Sequence, residues 1–65
     1  MTALENKAYL GGSRMAAYII RRDGLQKAMM RGSKAEYRYS RRSLIESYNA
    51  GYMDAVIEAY KTVRD

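Results

Sequence analysis

The sequence predicts an all-α fold, a small helical hairpin or three-to-four-helix domain with a long amphipathic C-terminal helix, occupying residues 1–65 as one unit. Three observations carry that prediction. The 65 residues contain no proline, so no residue removes an amide from a helical ladder. Apolar side chains recur at i, i+3, i+4 and i+7 rather than in strict alternation. Three Ser/Thr-x-x-Glu patterns mark helix starts, because hydroxyl and carboxylate each satisfy an orphan amide of a first turn.

Thr2 and Glu5 form the first of these patterns and open a short helix over residues 3–10. Gly11-Gly12 is expected to break it, since a glycine costs a helix interior about 1 kcal/mol relative to alanine. Ser13 then serves as a second N-cap for Arg14 to Arg22, with Met15, Ala16, Ile19 and Ile20 on the buried side. Asp23-Gly24 kinks or ends this segment. Leu25 to Arg31 resumes with Leu25, Ala28 and Met29 inward, and Gly32 is placed to close it in the left-handed conformation.

The last helix has two rival starts. Ser33 with Glu36 begins it at Lys34 and carries it to Arg64, a length of about 46 Å at a rise of about 1.5 Å per residue. Ser43 with Glu46 begins it at Leu44 and leaves Ala35, Tyr37 and Tyr39 in a connector whose alternation suits a stub of strand. The longer helix is favoured, because a lone strand has no visible partner. Both versions agree from Leu44 to Val63, where Leu44, Ile45, Tyr48, Tyr52, Ala55, Val56, Ala59 and Val63 form one core stripe.

Met53, Ile57 and Tyr60 form a second line, leaving chiefly Ser47, Asp54, Glu58, Lys61 and Thr62 for solvent. So wide an apolar arc exceeds what short helices of the same chain cover. A domain of this size also buries only about 60% of the surface that its unfolded chain exposes, which leaves stability marginal without metal, disulfide or a second chain. The expectation is a homodimer, or a partner-docking face, built from Tyr48, Tyr52, Met53, Val56, Ile57 and Tyr60.

Absent residue types narrow the chemistry. With no Cys and no His, the chain has no disulfide, no thiolate nucleophile, no haem ligand and no ordinary zinc site, and no side chain that ordinarily titrates between about pH 5 and pH 8. Serines without histidine have no base of the usual kind, and Asp54 and Glu58 sit one turn apart on a solvent face. A small helical chain is also expected to lack a pocket of about 300 Å³ or more. The sequence therefore predicts no enzyme, no cofactor, no metal and no small-molecule substrate. Tyrosine replaces the other rings, with seven Tyr and no Phe or Trp, so a buried ring brings a hydroxyl that needs a partner.

Charge is partitioned along the chain. Residues 1–42 hold ten basic and three acidic side chains, for +7, whereas residues 43–65 hold two and four, for −2. Eight of the twelve basic residues are arginine, whose planar fork matches phosphate and stacks on bases. Arg21, Arg22, Arg31, Lys34, Arg38, Arg41 and Arg42 are the candidate nucleic-acid contacts, with Tyr37 and Tyr39 as stacking rings. On a helix from Lys34, the residues Lys34, Arg38, Arg41 and Arg42 would share a face. A helix-turn-helix fits poorly: with Gly32 as the turn, Ser33, Arg38 and Arg41 occupy apolar positions, and with Gly24, Ile20 replaces the small residue and Asp23 an apolar one. Gly11-Gly12-Ser13-Arg14 offers a weaker anion cradle at a helix start.

The leading expectation is a small regulatory protein, without catalytic activity, whose basic face meets nucleic acid or a nucleoprotein. The rival is an inhibitor or adaptor that docks on an acidic host protein through the Tyr/Met/Ile face of its last helix. Size, composition and a lone helical domain suit the small regulatory proteins of phages and mobile elements. The longest apolar run, Met15 to Ile20, is far below the roughly 20 residues of a membrane span, and residues 1–5 show no basic leader. A cytoplasmic location follows as an expectation, in a cell or an infected host, with no membrane partner.

Overall fold

The computed structural model describes residues 2–64, and among these lie three α-helices, α1 (Ala3–Asp23), α2 (Leu25–Arg31) and α3 (Arg42–Arg64), one 3-10 turn (Ala35–Tyr37) and no strand. The all-α expectation holds. Thr2 starts α1 with the reciprocal cap read from the sequence: its amide donates to Glu5 Oε1 at 2.8 Å, and the Glu5 amide donates to Thr2 Oγ1 at 3.2 Å. The bond from the Thr2 amide foremost, and the Thr2 hydroxyl beside the carboxylate, hold the Glu5 carboxyl below the usual glutamate range.

Gly11-Gly12 does not break the helix. α1 runs through both glycines to Asp23, and Ser13 is an interior residue rather than a cap. The reason is tertiary. A Cβ on Gly12 would lie 2.0 Å from the carbonyl oxygen of Tyr48 in α3, and a Cβ on Gly51 would lie 1.9 Å from the carbonyl oxygen of Tyr9 in α1. Each helix thus supplies a glycine against the other's backbone, at a position where any side chain would collide with it. Gly11 faces the Tyr48 ring, where an added Cβ would make an ordinary contact at 3.5 Å.

Outward from this crossing, Ala8 clusters with Tyr48 and Ala35, while Ala16 and Ile19 cluster with Tyr52, Val56 and Ala28. Low numbers meet low and high meet high, so α1 and α3 run in the same sense. Met15 packs against both clusters. Tyr9 donates a hydrogen bond to the Asp54 carboxylate across the seam, which raises the pKa of its phenol.

Parallel helices need a return crossing, and α2 with the following connector provides it. Gly24 alone, at φ 98°, separates α1 from α2, and Gly32 closes α2 at φ 73°, the positive dihedral anticipated there. Descending α2, Leu25 packs in the Tyr52/Val56 cluster and Tyr52 Oη donates to the Ala28 carbonyl at 2.8 Å. Ser33 donates to the Asn49 side-chain oxygen, and Ala35, fully buried, joins Ala8 and Tyr48. The chain then turns into α3, whose first amide bonds run from Leu44 and Ile45 to the Arg41 carbonyl at 3.1 and 3.0 Å.

The favoured long helix from Lys34 is therefore not formed, and neither is a strand stub at Ala35-Tyr37-Tyr39. Burial of Ala35 and the Ser33–Asn49 bond fold this stretch back on α3, contacts that a straight helix would forfeit. The molecule spans 34 × 21 × 14 Å with a radius of gyration of 11.5 Å. That matches α3, whose 23 residues measure about 34 Å at about 1.5 Å per residue. None of the described helices is long and apolar enough to cross a membrane.

Adjacent glycines should respond oppositely to alanine. Gly11→Ala is expected to stabilise by about 0.5–1 kcal/mol through helix propensity, whereas Gly12→Ala and Gly51→Ala each cost about 3 kcal/mol or more, because backbone cannot step aside as a rotamer can. Urea melts of the three variants check this. Since the folded pKa of Glu5 is depressed, its stabilisation is present above the ordinary glutamate pKa of about 4.3 and is lost as pH falls through the lower folded value. Thermal melts from about pH 5 to about pH 3 should therefore lose stability more steeply for the parent than for Glu5→Gln, which keeps a capping side chain without the titration.

Candidate nucleic-acid interface

The return connector, rather than a helix face, gathers the basic side chains. Arg31 ends α2, Lys34 precedes the 3-10 turn and Arg38 follows it. Together with Ser33, Tyr37, Met15 and Tyr48 they line an open cleft of about 580 Å³, and among the described residues no acidic one lines it. The expectation that so small a chain lacks a concavity of that size is overturned, because the connector folds back against the α1–α3 pair, anchored by Ala35, instead of extending α3.

Local bonding fixes the wall. Ser33 Oγ accepts from the Ala35 amide at 3.3 Å, and the turn is closed by Tyr37 N to Lys34 O at 3.1 Å and Arg38 N to Ala35 O at 2.9 Å. Buried Ala35 anchors this turn, so Tyr37 on its outer side is 83% exposed while its backbone is held. Lys34 takes the left-handed conformation (φ 56°, ψ 35°) and, among the described residues, is the one with positive φ that is not glycine. On the floor, the Tyr48 ring rests over Gly11, meets Tyr39 with centroids 5.6 Å apart at 58°, and carries the Arg38 guanidinium 5.6 Å from its centroid.

The other predicted contacts separate from this cluster. Arg22 donates from Nε and Nη2 to Asp23 Oδ2 at 3.1 and 2.9 Å and from Nη1 to Tyr18 Oη at 3.3 Å, and it lies 5.2 Å over the Tyr18 ring. Arg21 is exposed nearby on the last turn of α1, outside the cleft lining. Arg42 sits 3.7 Å from Glu46, and Arg41 supplies the first carbonyl of α3. The common face expected for Lys34, Arg38, Arg41 and Arg42 does not exist, since no helix spans them. Tyr39 is half-buried against Tyr48 rather than free to stack on a base.

Electrostatics favour anions at this end of the molecule. α1 and α3 begin on the same side, so their positive dipole ends add there. Arg41 and Arg42 stand at the start of α3, whose first turn holds no acidic residue, an arrangement that costs the helix about 0.3–1 kcal/mol and that a bound anion would relieve. The anion cradle at Gly11-Gly12-Ser13-Arg14 is absent, because the amides there lie inside α1. Among the described residues, no group of three or more acidic side chains gathers as metal ligands would.

The proposed interface on α3 divides. Tyr48, Tyr52 and Val56 belong to the chain's own core and are not available to a partner. Met53, Ile57 and Tyr60 remain outside, 51%, 45% and 45% exposed, one helical step around from the buried stripe. Val63, expected in the core stripe, is exposed near the end of α3.

Met15, Ser33 and Tyr48 were not legible as cleft residues. Met15 and Tyr48 read as apolar stripe and Ser33 as a cap, and the Gly32-Ser33 break was the one local sign that the chain turns there. No family model, curated protein or solved structure matches the chain.

Proposed function

We propose that this protein is a small non-enzymatic regulatory protein that binds nucleic acid, free or in a nucleoprotein, through the basic cleft of its connector. The observation that carries the reading is the convergence of Arg31, Lys34 and Arg38 on one concavity with a held, exposed ring beside them and no carboxylate in the lining. Phosphate supplies the charge such a cleft lacks, and Arg offers paired donors for it. Arg21, Arg41 and Arg42 add longer-range attraction outside the cleft.

A second reading rests on Met53, Ile57 and Tyr60. Among the described residues the buried apolar ones are Ala8, Ala16, Ile19, Ala28, Ala35, Tyr48, Tyr52 and Val56, and four of these eight are alanine. So small a core gives marginal stability, and the exposed line on α3 offers more apolar area to bury. We infer that a second copy of this chain covers it. An acidic host protein docking there is the competing occupant, and the same test separates them.

Fluorescence polarisation with labelled oligonucleotides between about 50 and 200 mM salt should give a log–log slope of about −2 to −3 if three phosphates are neutralised. Arg31→Ala with Arg38→Ala should remove about two thirds of that slope, and unmeasurable binding at the low-salt end would refute the assignment. Sedimentation equilibrium should show a concentration-dependent dimer that Ile57→Arg converts to a folded monomer. A parent chain that stays monomeric at high concentration counts against self-association and leaves the face to a different partner.

A further inference from the structure

We propose that the cleft seats one nucleotide of a single strand, its phosphate held by Arg31, Lys34 and Arg38 and its base laid on the Tyr37 ring, and that duplex is not its substrate. This rests on the nucleic-acid reading above and narrows it to one class of polymer.

Duplex readers place a helix or a two-stranded ribbon in a major groove about 12 Å wide. Here no regular element presents the cations as a row: one ends α2 and the other two flank a three-residue 3-10 turn. They line a concave wall, which receives a ligand rather than entering a groove. Nor do α1 and α2 form a helix-turn-helix, since Gly24 alone joins them where that motif needs about three or four residues.

Tyr37 supplies what a splayed base needs. Its ring has no ring or cation partner among the described residues. Its backbone is nevertheless fixed by the turn and by buried Ala35, so little order remains to be imposed when a base stacks. Bases within a duplex are already stacked on each other and do not offer a face to it. Half-buried Met15 gives the floor apolar surface for the sugar and base edge, and the buried Tyr48 ring beneath it holds Arg38 in place.

Lys34 adds an independent sign. A left-handed backbone strains a side-chain-bearing residue in a way that glycine avoids. Two residues earlier Gly32 meets a positive φ without a side chain, yet position 34 keeps a long cation that lines the cleft. Strain retained at a lining residue marks a site where the side chain matters more than the backbone's comfort.

The test compares labelled dT10, U10 and a ten-base-pair duplex at about 50 mM salt, with the parent, Tyr37→Leu and Lys34→Gly. Expected are tighter binding of dT10, U10 or both than of duplex, and a loss of single-strand affinity of about 5- to 100-fold in Tyr37→Leu. Tyr37→Leu should keep the parent circular dichroism spectrum, its side chain being exposed. Lys34→Gly should raise Tm by about 4 °C while weakening single-strand binding several-fold. Equal affinity for duplex and single strands overturns the single-strand inference and leaves the basic-cleft reading standing. Single-strand binding indifferent to Tyr37→Leu, or a Lys34→Gly variant that gains stability without losing affinity, also overturns it. Absence of binding to all three oligonucleotides overturns both.

Discussion

Two glycines, Gly12 and Gly51, let the backbones of α1 and α3 touch, and the other packing is arranged around that contact. At such a separation there is room between the helices only for small side chains, hence the alanines at 8 and 16 on α1. Large side chains are pushed to the flanks of the seam, where Tyr48 and Tyr52 fill the space on the side closed by α2 and the connector. The closeness offsets two costs: glycine's poor helix propensity, and the mild repulsion of two dipoles pointing the same way.

Building a core from tyrosine imposes a second requirement, a partner for each buried hydroxyl. Tyr52 meets it by donating to the Ala28 carbonyl, which also accepts from the Gly32 amide at 3.2 Å. A buried bond of this kind contributes about 1 kcal/mol net, and its larger effect is geometric, because it ties α2 to α3 at one height. From there the chain has few ways to go. Ser33 pairs with Asn49, Ala35 is buried beneath Tyr48, and the connector stands as the wall of the cleft.

The parallel arrangement also decides where charge goes. The basic residues from Arg31 to Arg42 lie towards the end where both helices start, whereas Arg21 and Arg22 sit on the last turn of α1 and Asp54 and Glu58 lie further along α3 on its solvent side. A cleft without carboxylates, an unpartnered ring and a strained lysine fall at the positive end. The apolar line of Met53, Ile57 and Tyr60 lies elsewhere on α3 and shares no residue with the cleft.

By itself the sequence determined the helical class, the Thr2–Glu5 cap, the stops at Gly24 and Gly32, the stripe around Tyr48, Tyr52 and Val56, and the basic bias of the first two thirds. These depend on neighbours within about one helical turn, or on composition, and so are written locally. Only the tertiary structure decided that Gly11-Gly12 continues a helix, since the reason lies in the Tyr48 carbonyl far along the chain. It decided equally that residues 34–41 turn instead of extending α3, because the burial of Ala35 and the bond to Asn49 outweigh local helix propensity. It decided which cations lie together: Arg31, Lys34 and Arg38 are separated in sequence by a helix end and a turn, and a folded connector, not a periodic pattern, brings them to one cleft.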